Sequence, residues 1–119
     1  MREILFRGKT VCDGDWIYGG ITWNPSKKEV FIHTEWDEGK VIPETVGQYT
    51  GLCDKNGTRI FEGDIVKVEN ALVRGIFAVE YCGISACFIV SHGERRYFLG
   101  GCNSEVIGNI HDNPELLNK

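Results

Sequence analysis

The sequence predicts a mainly β fold, with short strands bent into a small barrel and one short helix at the C-terminal end. Two tallies and one spacing predict it. Among 119 residues, valine and isoleucine total 22 while alanine and leucine total 9. β-branched side chains suit a pleated surface, whereas alanine and leucine suit helices. Glycine contributes 15 residues where ordinary usage gives roughly 8. Turn signals built on those glycines recur about every 8–12 residues, the spacing of a small barrel or sandwich. A helical bundle, a coiled coil and a doubly wound α/β domain all fit poorly. The length suits one domain with a core of its own.

The elements follow in order. Ile4 and Phe6 share one face of a first strand over residues 1–7. Asp13-Gly14-Asp15 turns the chain into Trp16–Trp23, which reads as a glycine-broken strand pair around Gly19-Gly20. Asn24-Pro25-Ser26 is the next turn, Val30–Thr34 a strand, and Glu35–Lys40 an acidic loop. Val41 and Ile42 run into Pro43, which favours an edge or a crossing over a central strand. Asp54-Lys55-Asn56-Gly57 predicts a type I′ hairpin turn, because Asn-Gly tolerates positive φ. Glu62-Gly63-Asp64 reverses the chain again before Ile65, Val66 and Val68.

From Leu72 to Cys82 alternation is good, with Val73, Phe77, Val79 and Tyr81 on one face and Arg74 and Glu80 on the other. Gly75 breaks that pattern and predicts a bulge or bend. Ala86–Val90 is its partner across Gly83-Ile84-Ser85, followed by strands at Tyr97–Leu99 and Glu105–Ile110 around Gly100-Gly101. Asn113-Pro114-Glu115-Leu116-Leu117 predicts the one helix, with asparagine as N-cap and proline at the first helical position.

The net charge is -4 and unevenly spread. Residues 30–65 carry seven acids against Lys40, Lys55 and Arg59. An acidic middle repels phosphate backbones and disfavours duplex binding driven by counterion release. The excess carboxylates read as a solvated surface. The apolar runs are too short to span a bilayer. Five cysteines stand at 12, 53, 82, 87 and 102, an odd number in a chain whose start shows no export signal. They read as reduced thiols in a cytosol, and the sequon at Asn56-Gly57-Thr58 carries no meaning there.

Three segments carry a resemblance. MREILFRG at the start, GQYTGLCDKNGTRIFEGDIVKV in the middle and VIGNIHDNPELL near the end are similar to the opening, central and C-terminal signatures of the YopX-like family of phage and prophage proteins. The chain departs from the family pattern at Gly8 and Cys53. The resemblance implies a single domain over 1–119: an SH3-like barrel core at 46–119 behind an N-terminal β extension at 1–45. It implies a phage or prophage setting in a bacterial cytosol and self-association. It supplies no catalytic residues and no established molecular role.

Candidate chemistry is thin. An EF-hand loop with Gly57 at its sixth position would put Leu52 first and Gly63 twelfth, and neither is a ligand. Cys82, Cys87, His92 and Cys102 lie within 21 residues, but a Cys-x4-Cys spacing is wider than a zinc knuckle uses. If Cys82 and Cys87 flank a hairpin, their side chains could converge; cysteine as a small core residue is the simpler reading. There is no Gly-x-Ser-x-Gly elbow and no phosphate-cradling loop. His33, His92 and His111 could be paired with carboxylates on paper, as in almost any chain of this size.

The reading therefore names no catalytic, cofactor-binding or metal-ligating residue and expects no enzyme. Trp16, Tyr18, Trp23 and Trp36 are expected in the core or, where exposed, at a protein interface. Trp16 and Tyr18 share a strand face, and Trp23 lies on the other unless Gly19-Gly20 resets the register. The expected role is a cytosolic accessory protein acting through protein partners, its own copies among them. The alternative is a single-strand nucleic-acid-binding barrel using Arg95, Arg96, Tyr97 and exposed aromatics.

Overall fold

A computed structural model describes residues 3–100 and 103–118. The described residues form eleven strands: β1 (Phe6–Lys9), β2 (Trp16–Asn24), β3 (Glu29–His33), β4 (Glu38–Val41), β5 (Gly47–Cys53), β6 (Arg59–Phe61), β7 (Asp64–Glu69), β8 (Arg74–Cys82), β9 (Cys87–His92), β10 (Arg95–Phe98) and β11 (Ser104–Asn109). The fold is mainly β, in two antiparallel sheets, and among the described residues the strands do not close into a barrel. The chain divides into two compact units, Met1–Tyr49 and Thr50–Lys119.

In the first unit the strand order is β4-β3-β2-β1-β5. β2 is one unbroken strand where a broken pair was expected. Its first half pairs with β1, Phe6 opposite Gly19, and its second half with β3, Gly20 opposite His33. Gly19 marks the change of partner because the chains meet closely there. A Cβ at Gly19 would sit 1.9 Å from the His33 carbonyl oxygen, so only glycine lets β2 pass. The strand's parity is therefore kept, and Trp23 faces away from Trp16 and Tyr18.

The acidic segment is likewise shorter as a loop than expected. Thr34 and Asp37 close a tight turn, with the Thr34 N–H on Asp37 O at 2.7 Å and the Asp37 N–H on Thr34 Oγ1 at 3.0 Å. Glu38–Val41 then pairs with β3 as an edge strand, where charged side chains can stay in solvent. The core of this unit is Val30, Ile32 and Val41, packed by Phe6, Ile17 and Val46. Pro43 opens a short 3-10 turn, Pro43–Thr45.

In the second unit β7, β8, β9 and β10 form a meander, and β11 returns beside β7, giving the order β10-β9-β8-β7-β11. The second-unit part of β5 runs next to β6. Ile60, Val66, Phe77, Val79 and Val90 make the core. Tyr81 shares the face of Phe77 and Val79 but lies beyond the core, half-exposed. The bulge expected at Gly75 is absent, since Val68 faces Gly75 in unbroken register. The Arg95 guanidinium fills that space, 4.8 Å over the Phe77 ring, and donates to the Arg74 carbonyl at 3.0 Å. The register shift lies instead in β11, between Val106 and Gly108.

The turn at residue 54 is not type I′. The Gly57 N–H donates to the Asp54 carbonyl at 3.0 Å, which makes Lys55 and Asn56 the central residues; neither takes the positive φ that a type I′ turn needs at both, and Gly57, at +82°, follows them. The expected C-terminal helix is a four-residue 3-10 turn, Pro114–Leu117. Asn113 does not cap it; its Oδ1 accepts the Asn109 N–H at 3.2 Å. So short a segment cannot offset the cost of nucleating an α-helix. No helix among the described residues is long and apolar enough to cross a membrane.

Candidate functional site

The residues singled out for metal binding scatter. Cys82 and Cys87 are direct cross-strand partners at the end of the β8–β9 hairpin. His92 stands at the far end of β9, its Nδ1 2.9 Å from the Ile76 carbonyl. Cys102 lies outside the described residues. Among the described residues, no group of three or more His, Cys, Asp or Glu side chains is placed to hold a metal ion.

The Asp54 loop is architecture. Asp54 Oδ1 accepts the N–H groups of Asn56 and Thr58, and Oδ2 that of Val106, all at 2.9 Å. Burial works to raise its pKa, and the three N–H bonds with the nearby Lys55 ammonium outweigh it, holding the carboxyl below its ordinary 3.8. Asp64, also buried, accepts the Phe61 N–H at 2.7 Å. Asn109 Oδ1 likewise accepts the N–H groups of His111 at 3.0 Å and Asp112 at 2.9 Å. Each of these side chains satisfies backbone donors that a tight turn would otherwise strand.

His33 does meet polar partners, Thr22 Oγ1 at Nε2 and Glu38 Oε2 at 3.1 Å from Nδ1. This hydroxyl–imidazole–carboxylate chain lies across β2, β3 and β4 on the solvent face. It is a cross-strand polar ladder, with the carboxylate and imidazole both about half in solvent.

The aromatics divide by use. Trp16 carries the Arg7 guanidinium 4.6 Å above its ring and the Lys9 ammonium at 5.6 Å. Trp36 is 89% exposed at the tip of the β3–β4 turn, and Tyr18 and Trp23 are about half exposed. Arg95 is committed to the rings of Phe77 and Tyr97 and to the Arg74 carbonyl. That removes one of the two cations a nucleic-acid groove would use.

The most conspicuous surface is β10, whose Arg95, Arg96 and Tyr97 the sequence offers as a nucleic-acid groove and not as a sheet edge. β10 is the outer strand of the five-stranded sheet, and all four of its residues are exposed. The Leu99 N–H points at the Phe88 carbonyl at 3.4 Å, so alternation turns the backbone groups of Tyr97 and Arg95 toward β9. Those of Arg96 and Phe98 face outward, an open hydrogen-bonding edge. Phe98 is 77% and Ile84 97% exposed. Beside them Cys82, Ser85, Ile89, Arg96 and Tyr97 line a groove of about 530 Å³. A pointer existed in the sequence, in the exposed pairing of Arg96 with Phe98 on one strand face. Its meaning depends on β10 being an edge, which no local pattern reveals.

Residues 7–118 match the profile of the family described as YopX protein. The chain belongs to the YopX family. Its structure also resembles the crystal structure of protein EF1440 from Enterococcus faecalis, with a TM-score of 0.62 and 24% identity over 98% of this chain and 99% of that one. That likeness is one of fold. No curated protein matches the chain. The central and C-terminal YopX segments recognised in the sequence contain Asp54, Gly57, Asp64, Asn109 and Asn113, the residues that build turns.

Proposed function

We propose that this YopX-family chain is a non-enzymatic accessory protein of a phage or prophage, working in the host cytosol through protein contacts, with a second copy of itself as partner at β10. The proposal includes an SH3-type arrangement of the second unit. A four-strand meander whose fifth strand returns beside the first, as in β10-β9-β8-β7-β11, supports it.

The observation that carries the reading is the open edge of β10 and the order of side chains along it. Two copies pairing antiparallel about a two-fold axis must match outward-facing residues with outward-facing residues. One such register sets Arg96 against Arg96 of the second copy, and like charges directly opposite are destabilising. The next sets Tyr97 against Tyr97 and each Arg96 against the other copy's Phe98. The guanidinium then meets an aromatic face, an attraction worth about 0.5–1 kcal/mol at an exposed site. Backbone bonds would give this contact its affinity and the Arg96–Phe98 pairs its register.

Light scattering at tens of micromolar tests it. The proposal requires a dimeric mass or larger for the unaltered chain and a monomeric mass for Phe98→Arg. A monomer in both cases overturns it.

A further inference from the structure

The β8–β9 hairpin places two thiols where one can act on the other. Cys82 and Cys87 are directly opposite in the ladder and so project from the same face of the sheet. Residues directly opposite in an antiparallel pair have Cα atoms about 4.5–5.5 Å apart, inside the span of about 4.4–6.8 Å that a disulfide bridges. Both are free and partly exposed.

Their surroundings differ. Cys82 lines one groove with Ile84, Ser85 and Arg96, and hydrogen bonding from the Ser85 N–H and side chain and from the Ile84 N–H, with the Arg96 charge, favours its thiolate. Those donors, Ser85 foremost, hold the Cys82 thiol below its ordinary 9.0 against the opposing effect of burial. Cys82 also borders the apolar groove beside Ile84, Ile89 and Phe98, and Cys87 does not.

We propose that Cys82 is a nucleophilic modification site for hydroperoxides, with Cys87 as its resolving thiol. The Cys82 thiolate attacks the terminal peroxide oxygen and the O–O bond breaks. The sulfur is oxidised by two electrons to a sulfenic acid, and the peroxide is reduced to water or an alcohol. Cys87 then attacks the Cys82 sulfur; the S–S bond forms, the S–O bond breaks, and the departing hydroxide takes the thiol proton to leave as water. Two thiols and one hydroperoxide thus give one disulfide, one water and one water or alcohol. Both thiols lie on the β8–β9 hairpin of one copy, so the site does not rest on pairing through β10, although Arg96 borders both.

Hydrogen peroxide and the reduced full chain provide the test, with thiols blocked by N-ethylmaleimide after timed exposure. The tryptic peptide Gly75–Arg95 holds both cysteines. It is expected to lose two hydrogens and both alkylation sites, about tenfold faster than the exposed Cys12 or Cys53 is consumed. In Cys87→Ser a sulfenic acid trappable by dimedone is expected at Cys82. In Cys82→Ser, Cys87 should stay reduced. Arg96→Gln should slow disulfide formation severalfold while the fold persists by circular dichroism. Oxidation no faster than at Cys12 and Cys53, a sulfenic acid on Cys87 instead, or a bridge only between two copies would each overturn the proposal.

Discussion

Asp54 accepts the backbone N–H of Val106 at 2.9 Å, joining a tight turn to a strand 52 residues further along the chain. With Lys55 N–H on the Ser104 carbonyl at 3.0 Å, it ties the β5–β6 turn to β11. One carboxylate therefore sets a local turn and a long-range contact together. Removing its oxygens leaves three backbone donors without their acceptor. Asp54→Ala is expected to lower unfolding stability by about 2–3 kcal/mol. Urea denaturation measures this, and a loss under about 0.5 kcal/mol would show the contact to be idle.

The same carboxylate makes stability pH-dependent. Its folded pKa lies below the ordinary 3.8, so its contribution is present above that value and is lost as pH falls through the folded pKa. The unaltered chain should lose more stability than Asp54→Asn between about pH 5 and pH 2. Parallel denaturation curves across that window check the sign. Equal losses would mean that other groups carry the acid sensitivity.

Gly19 sits at a tight crossing in the first unit, with the His33 carbonyl 1.9 Å from any added Cβ. Gly19→Ala must push β3 away from β2 and is expected to cost about 1–3 kcal/mol, the scale of forced overpacking. Gly20→Ala meets nothing within 4 Å and should cost less. Thermal melts of the two variants compare them, and the order of their Tm values is the result to watch.

Phe77 is fully buried beneath Arg95 and edge-on to Tyr97, with ring centroids 5.7 Å apart. Phe77→Ala is expected to remove about 3–5 kcal/mol. It should also free the Arg95 side chain, detectable as a change in the Tyr97 ring environment by NMR.

Much of this fold was legible in the sequence, and the reasons are local. Alternation placed β8, the hairpin at Gly83–Ser85 placed β9 as its partner, and β-branched runs bounded by turns placed β3 and β7. The turns at Asp13-Gly14-Asp15, Asp54–Gly57 and Gly83–Ser85 were readable because each turn carries its own chemistry. What misled depended on partners. Gly19-Gly20 looked like a break, but the close pass of β3 explains Gly19. Gly75 looked like a bulge until Arg95, twenty residues away in sequence, filled its space. Glu38–Lys40 looked like loop because an edge strand needs no apolar alternation on its solvent face. The short C-terminal segment had helix-boundary residues but too few residues between them to sustain an α-helix.

The site was less legible for the same reason. The facing of Cys82 and Cys87 could be raised as a condition on a hairpin, but not their different surroundings. The outward edge of β10 follows from strand order, which is a property of the whole sheet. The YopX signatures were readable as a family mark, and in this chain Asp54, Asp64 and Asn109 within them satisfy the backbone of their turns.

The central claim, pairing of two copies through β10, is tested most directly by exchanging its two contact residues. Phe98→Arg alone sets two cations opposite one another in the proposed register, and Arg96→Phe alone removes both. The double variant Arg96→Phe with Phe98→Arg restores each cation to an aromatic partner. Light scattering at a fixed concentration of tens of micromolar should give a monomer for Phe98→Arg and a dimeric mass again for the double variant. A double variant that stays monomeric while the unaltered chain dimerises would contradict this pairing.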